Sequence, residues 1–452
     1  MLNRKIQSDI ENYLSSNSNR MLLVDGARQV GKSFIIRHVG RKRFANYIEV
    51  NMESDRQNDR LFADATSVDK FYLALSAFAG DLMGNKDDTL VFIDEIQAYD
   101  HLLTLVKFLM QDGRFTYIAS GSLLGITLQK TQSIPIGSIQ QLHMAPMDFE
   151  EFLWANNVGT EVIQEMYRRF KSREQLPESL HNKIMDLFKR YLLVGGMPDA
   201  VNAFITEHNI VSVRSVQNDI FELYKRDAAK YEKESLRKLK IQRIYNMIPS
   251  NLESRKKRVV MKNIEGKEGK RTSDYQDEFD YLVSSGVALE VDAISQPVYP
   301  LVQNAGKNLL KLYLNDVGIF TNILYHNNIK PVLADEKSVN LGAVYETVVA
   351  QELKAHGYNL YYYDNKKNGE VDYVIDDFEN MSSLPIEIKS GKDYTQHSAL
   401  NKFLANPDYN VTRGFVLSNA PGVYEQSGVV YMPIYNVMFF SQGMADYSDT
   451  KI

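Results

Sequence analysis

Residues 26–33 read Gly-Ala-Arg-Gln-Val-Gly-Lys-Ser, a gapless match to G-x-x-x-x-G-K-[ST]. The apolar run Met21–Val24 precedes the match and the helical run Phe34–His38 follows it. A strand that passes through a glycine turn into a helix N-terminus is one half of a βα unit. It commits the surrounding chain to an α/β sheet. The glycines let the backbone fold around phosphates with several N–H groups pointing inward. The helix N-terminus adds partial positive charge. Lys32 is expected to reach the β- and γ-phosphates and the Ser33 hydroxyl to ligate Mg²⁺. Gly26, Ala27, Arg28, Gln29, Val30, Gly31, Lys32, Ser33 and Phe34 are the expected nucleotide-binding residues, with ATP and Mg²⁺ as ligands. For Arg28 two readings stand: pairing with phosphate or a lid acid, or a solvated side chain.

The first third of the chain alternates short apolar runs with helical patterns. Met21–Val24, Tyr47–Asn51, Leu90–Ile93 and Phe115–Ala119 read as buried parallel strands, with helices over Val68–Phe78 and Leu102–Met110 between them. Leu90-Val91-Phe92-Ile93 ends in Asp94-Glu95, which delivers two carboxylates at the edge where such sheets bind ligands. Asp94 is expected to hold Mg²⁺, directly or through water. Glu95 is expected to orient and polarise the attacking water. Phe115–Ala119 ends in Ser120-Gly121-Ser122. Ser120 is the expected contact to the γ-phosphate or the water, with Ser122 in reserve.

Composition narrows the rest. The chain has 452 residues, room for two to four domains at roughly 100–200 residues each. A formal net charge of −5 makes the chain as a whole no generic nucleic-acid binder, so any such surface must be a local basic patch. The absence of cysteine excludes disulfides, thiolate zinc sites and a thiol nucleophile. The N-terminal MLNRKIQSDIENYL is an amphipathic helix pattern with no apolar stretch of the signal-peptide kind. No apolar run approaches the roughly 20 residues needed to cross a bilayer. The expected address is the cytoplasm, and no membrane partner is expected.

The remaining chain is expected in three parts. After an ATPase core over 1–156, helical patterns at Glu161–Phe170, Pro177–Leu193 and Ile210–Tyr231 suggest a helical lid over 157–232, broken by Gly195-Gly196-Met197-Pro198. Arg190, Arg214 and Arg226 in it are candidates for an arginine finger. Over 233–315, helical patterns precede strand-like Val287–Val291 and Lys311–Leu314, the order of a winged helix. Its basic cluster is Arg255-Lys256-Lys257-Arg258 with Lys262, Lys267, Lys270 and Arg271. That cluster is either solvated surface or a set of phosphate contacts on DNA. Over 316–452 a helix, Leu341–His356, is followed by strands at Asn359–Tyr363, Glu370–Ile375, Pro385–Lys389 and Gly414–Leu417, with a helix near His397–Leu404.

The C-terminal part carries a second set of acids. Glu387 and Lys389 alternate along one strand and share a face, and a neighbouring strand brings Asp372 opposite them. Two carboxylates and a lysine on one sheet face form a candidate Mg²⁺ site, which Glu346 on the preceding helix completes. The competing reading is a Glu387–Lys389 ion pair on a half-exposed strand. Glu370 reads as supporting rather than ligating. Tyr361-Tyr362-Tyr363 reads as a core strand, with a base-stacking platform as the alternative. The histidines show no metal-ligand spacing.

The chain resembles the bacterial and archaeal AAA-type ATPases whose C-terminal half is a domain of unknown function related to the PD-(D/E)xK nuclease fold. The resemblance runs through Gly26–Ser33, Phe92–Gln97, Ser120–Ser122, Pro146–Leu153, Leu193–Pro198, Lys311–Gly318, Gly342–Glu346, Glu370–Ile375 and Ile386–Gly391. It implies an ATPase core with an extra strand between the P-loop strand and the acidic strand, a winged-helix middle and a nuclease-like end. Members usually carry a basic residue after the glycine matching Gly137, where this chain has Ser138. If that residue senses the γ-phosphate, hydrolysis here is slower or arranged differently. The fold class expected is therefore α/β: a P-loop NTPase core with a helical lid, a winged-helix domain and a small α/β nuclease-like domain. The leading functional expectation is an ATP-driven switch or motor coupled to nucleic acid. The alternatives are an ATP-controlled scaffold for a protein partner, with an inert nuclease-like docking domain, and an ATP-gated metal-dependent nuclease.

Overall fold

A computed structural model describes residues 1–441 except 17, 123–135, 231–233, 335, 337–338 and 392. The chain forms two compact units. The first comprises Met1, Asn3–Ala145 and Ser284–Gly286, the second Leu2, Pro146–Val283 and the chain from Val287 onward.

The first unit holds a five-stranded parallel sheet. Its strands are β1 (Met21–Asp25), β2 (Asn46–Asn51), β3 (Thr89–Asp94), β4 (Thr116–Gly121) and β5 (Ile139–His143), in the order β2-β3-β4-β1-β5. All six residues of β3 are buried, as are the first four of β1. Parallel strands covered on both faces need such continuous apolar runs. One face of the sheet (Leu23, Val50, Val91, Ile93 and Ala119) packs with Phe71 and Leu75 of the helix Val68–Ala79. Leu102, Val106 and Leu109 of the helix Asp100–Asp112 join the same core. Each such fully buried aliphatic or aromatic side chain contributes roughly 1.5–3 kcal/mol. β4 lies between β1 and β3, the inserted strand that the resemblance implies. Strand β5 was not expected. It sits at the sheet edge with every residue at least partly exposed, so it has no apolar run to betray it.

The second unit combines helices with an eight-stranded sheet. Its strands are β6 (Ala288–Ile294), β7 (Ala305–Leu314), β8 (Tyr361–Asn365), β9 (Gly369–Asp377), β10 (Ser382–Lys389), β11 (Gly414–Ser418), β12 (Tyr424–Gln426) and β13 (Val429–Pro433). Their order is β12-β13-β11-β10-β9-β8-β6-β7. The antiparallel ribbon β6–β7 was expected as the wing of a separate domain over 233–315. It instead continues the C-terminal sheet, because β6 also pairs in parallel with β8, Asp292 opposite Tyr361. A strand with two free ladder edges pairs on both, and no local signal states its second partner. The helices expected as a lid lie in this unit as well: Thr160–Ser172, Glu178–Val194, Pro198–Glu207 and Ile210–Lys230. The expected end of the last helix at Tyr231 falls outside the described residues. His181 Nδ1 lies 2.9 Å from Tyr435 Oη, and the Tyr191 hydroxyl donates to Glu352 at 3.0 Å. No helix among the described residues is long and apolar enough to cross a membrane.

The break at Gly195-Gly196 has a packing reason. A Cβ on Gly196 would lie 2.0 Å from the Met147 carbonyl oxygen, whose own N–H donates to Gly196 O at 2.7 Å. The Gly196 N–H is held by Asp316 Oδ2 at 2.6 Å. Gly196→Ala is expected to lower unfolding stability by about 3 kcal/mol, because the clash is with backbone that cannot rotate away. Urea denaturation of the full chain checks it, and an unchanged midpoint would refute the close approach.

Candidate nucleotide site and acidic cluster

In the first unit, β1 passes into the helix Lys32–Arg43 through the glycine loop. Gly26 has φ +136° and Gly31 φ +98°, values that only glycine adopts freely. A Cβ on Gly26 would sit 2.2 Å from the Met144 carbonyl oxygen, so the position admits no side chain. The helix ends in Arg41, Lys42 and Arg43, which complement its C-terminal partial charge. The Lys32 ammonium donates to Gly26 O at 2.9 Å and Ala27 O at 2.7 Å. Burial pushes it down to about 8, against the opposing pull of Glu95, Asp94 and Asp25. Arg28 Nε donates to Ser122 Oγ at 3.3 Å, which ties this P-loop residue to the end of β4. Phe34 is half exposed.

The acids stand at the carboxyl end of β3. Asp94 Oδ2 accepts from the Ser33 hydroxyl at 3.1 Å and from Asn51 Nδ2 at 3.0 Å. Its Oδ1 accepts from the Ser120 hydroxyl and from the Glu95 N–H at 3.1 Å. Ser33 and Asp94 therefore meet at the point where both were expected to hold the metal. Glu95 has φ +51°, a left-handed backbone that is uncommon for this residue type. Its carboxylate accepts from Ser122 Oγ at 3.1 Å and from the Gln97 side-chain amide. Ser120 was expected to contact the γ-phosphate or the water. Its buried hydroxyl donates to Asp94, and the reserve residue Ser122 donates to Glu95. Register explains the division: with Ile93 opposite Ala119, Ser120 falls beside Asp94, and Ser122, two residues further along the same face, reaches Glu95. Ser138, where relatives usually carry a base, lies in the single turn Ile136–Ser138 before β5.

Two supporting residues escaped the sequence reading. Asn51 ends β2 directly opposite Asp94, and its polar side chain at a strand's carboxyl edge was the available signal. Arg4 is buried and donates to Val30 O of the P-loop and to Ala145 O, both at 2.7 Å. It stands 26 residues before its P-loop partner, so no motif spacing marks it. Arg4→Ala is expected to weaken nucleotide affinity about tenfold, since losing one charge-assisted bond costs roughly 1.5 kcal/mol. Fluorescent-nucleotide titration checks this. Unaltered affinity would reduce Arg4 to a packing role.

In the second unit, the C-terminal acids gather as the alternation suggested. β9 and β10 are antiparallel with Tyr373 opposite Ile386, which sets Asp372 beside Glu387. Asp372 Oδ2 accepts from the Ile388 N–H at 2.8 Å, and Lys389 Nζ lies 2.7 Å from Glu387 Oε1. Glu346, on the helix Gly342–Ala355, accepts from the Tyr313 hydroxyl at 3.0 Å. Burial raises Asp372 well above the usual carboxylate range, and Glu387 and Glu346 add to the effect. At the expected metal site of Glu346, Asp372 and Glu387 the acids already have partners within the chain. Among the described residues no three acids are arranged to hold a cation, and the Lys257 ammonium is bonded to Glu346. Burial alone would lower that ammonium, but Glu346, Asp372 and Glu370 outweigh it and hold it above its ordinary value.

The basic run is thus partly consumed. Lys257 pairs with Glu346, and Arg258 pairs with Asp364 at 3.0 Å and Glu370 at 3.2 Å. Glu370 also takes the fully buried Lys311 at 2.6 Å, the supporting part expected of it. Arg255, Lys256, Lys267, Lys270 and Arg271 are exposed. Tyr361, Tyr362 and Tyr363 are all buried, which leaves no stacking platform. Arg214 is no free finger: it donates to Leu193 O, Gly318 O and His326 O inside its own unit. Arg190 pairs with Asp186 at 3.0 Å, and Arg226 is exposed.

Residues 18–153 match the family of AAA domains. Residues 185–330 and 341–437 match two families described as domains of unknown function, DUF8612 and DUF4143. No curated protein matches the chain. Among solved structures, the Walker-type ATPase of Pyrococcus abyssi is 15% identical with a TM-score of 0.43, covering 71% of this chain and 95% of that one. Cdc6p from Pyrobaculum aerophilum is 12% identical with a TM-score of 0.26, covering 73% and 92%. Likeness at that level says nothing of what this chain binds. The family match and the parallel five-stranded sheet make the first unit an AAA-type P-loop domain.

Proposed function

We propose that this domain binds ATP with Mg²⁺ and hydrolyses it, as the engine of a switch or motor. The single observation that carries the reading is the meeting of Ser33, Asp94 and Glu95 beside the P-loop. Ser33 Oγ and Asp94 Oδ2 lie 3.1 Å apart, and Ser122 and Gln97 hold the Glu95 carboxylate. Lys32 gives up its two loop carbonyls and turns its ammonium to the β- and γ-phosphates. The loop N–H groups and the helix N-terminus bind the remaining phosphate charge. Ser33, and Asp94 directly or through water, hold the metal, which when bound neutralises charge on the phosphate oxygens. Glu95 orients the attacking water by accepting its hydrogen bond and polarises it for in-line attack. Asn51 and Ser120 fix the Asp94 carboxylate so that its rotamer is set before nucleotide arrives.

The output proposed for this engine is nucleic-acid binding through the second unit, where the exposed cations Arg255, Lys256, Lys267, Lys270 and Arg271 gather. A second reading, an ATP-controlled scaffold for a protein partner, is favoured by the ion pairs that occupy Lys257 and Arg258. The nuclease reading is the weakest, because two of the three acids it needs, Glu346 and Glu387, are engaged with lysines. Phosphate release from ATP is measured with Mg²⁺, with and without duplex DNA, at rising salt. Turnover stimulated by DNA, with stimulation lost steeply as salt rises, supports the first output. Turnover indifferent to DNA moves the output to the scaffold, and no turnover under any condition sinks the engine.

A further inference from the structure

The acidic cluster of the second unit already contains a cation. Lys257 reaches it from outside the nuclease-like strands, from the turn that follows the helix Ser235–Glu253. Its backbone has φ +51°, a left-handed conformation that costs a non-glycine residue about 1 kcal/mol. That turn is pinned by the Lys257 N–H, which donates to Ser254 O at 3.1 Å and Ser254 Oγ at 3.2 Å. The strained turn aims the side chain inward, and its Nζ bonds Glu346 Oε1. The second oxygen of Glu346 is occupied by the Tyr313 hydroxyl, and its main-chain oxygen accepts from Tyr373 at 2.9 Å.

Glu346, Asp372 and Glu387 bring three carboxyl groups to a place that holds Lys257 and Lys389 as countercharges. Glu387 is buried, and its Oε2 has no hydrogen-bond partner. An unpaired buried carboxylate oxygen is costly, and it persists where the local charge balance comes from elsewhere. The arrangement suits an ammonium and not a hard divalent ion. An ammonium sits about 2.7–2.9 Å from its oxygens. Magnesium draws them to about 2.0–2.1 Å and demands near-octahedral order. Glu346 has both carboxylate oxygens taken, by Lys257 and Tyr313, and no three-acid group placed to hold a metal occurs among the described residues.

We propose that Lys257 is a tethered cation standing in the place of a divalent metal, so that the Glu346–Asp372–Glu387 cluster is metal-free while Lys257 is docked. Removing the ammonium frees Glu346 and leaves a negative cluster open to a hard divalent ion. The role is one of positioning and charge, since Lys257 transfers nothing.

Mn²⁺ binding to the nucleotide-free full chain, followed by electron paramagnetic resonance, tests the proposal. The Asp372→Asn chain defines what belongs to this cluster and separates it from the nucleotide site. The wild type is expected to show no Asp372-dependent binding. Lys257→Met is expected to gain one Mn²⁺ per chain, lost again in Lys257→Met/Asp372→Asn, and Lys257→Arg is expected to stay silent. Asp372-dependent binding in the wild type, or a cooperatively melting Lys257→Met chain that gains none, overturns the proposal. Should Lys257→Met fail to fold, amine acetylation of the wild type replaces it: Lys257 should lag exposed Lys256, and added Mn²⁺ should leave the lag unchanged. A Lys257 that Mn²⁺ accelerates, or that reacts as fast as Lys256, overturns it equally. None of these readouts involves ATP turnover, so failure here leaves the nucleotide reading intact.

Discussion

Lys32→Ala is expected to abolish useful ATP affinity, with a loss on the order of 100- to 1000-fold. The ammonium makes two bonds to loop carbonyls in the nucleotide-free chain, at 2.7 and 2.9 Å, and these are the bonds it exchanges for phosphate oxygens. Charge-assisted bonds contribute roughly 1.5–3 kcal/mol each, and two of them at the lower end of that range cost about 3–4 kcal/mol. The fold should survive, because alanine is a good helix former at a helix's first position and the loop keeps its glycines. Calorimetric titration with ATP and Mg²⁺ checks the affinity, and thermal melting checks the fold. A folded variant that still binds ATP like the wild type would remove the P-loop assignment.

Glu95→Gln is expected to separate binding from turnover. The substitution keeps the shape of the side chain, so Ser122 and Gln97 still have an oxygen to meet. What disappears is the negative charge that polarises the water. General-base contributions run at about 10²- to 10⁴-fold in rate, and a loss of that size is expected in phosphate release. Asp94 remains bonded to Ser33, Asn51 and Ser120, so ATP and metal binding should hold within a few-fold. Bound nucleotide and released phosphate must be measured separately. Equal turnover in variant and wild type would transfer the task to another group. Loss of binding together with turnover would make Glu95 part of the ATP-holding machinery. Pairing this variant with Lys32→Ala distinguishes a protein that cannot load from one that loads and stalls.

The two halves of the molecule differed in how much the sequence disclosed. Around the nucleotide site the strand runs Met21–Val24 and Leu90–Ile93 came within one residue of β1 and the core of β3. Both are fully buried, and burial on two faces writes an unbroken apolar run. Edge strand β5 is exposed along its length and wrote nothing. Asp94 and Glu95 were legible as a pair. The division of labour between Ser120 and Ser122 was not, since it follows from β4 lying beside β3 and from which hydroxyl reaches which carboxylate. Arg4 was invisible for the same reason, because its partners Val30 and Ala145 are distant along the chain.

The acidic cluster shows the contrast most sharply. Alternation along β10 was enough to put Glu387 and Lys389 on one face, because the strand period is two whatever the strand packs against. The P-loop was likewise decided locally: eight consecutive residues contain the glycines, the lysine and the serine that phosphate needs. The tertiary structure alone decided that the ribbon β6–β7 joins the C-terminal sheet through β8. It alone carried Lys257 across 89 residues of chain to Glu346, placing an ion pair at the expected metal site. Motifs and periodicity record what a residue does for its neighbours in sequence. Which unpaired strand edge finds another, and which buried charge finds its countercharge, are settled by global packing, where desolvation leaves no acid without a partner at low cost.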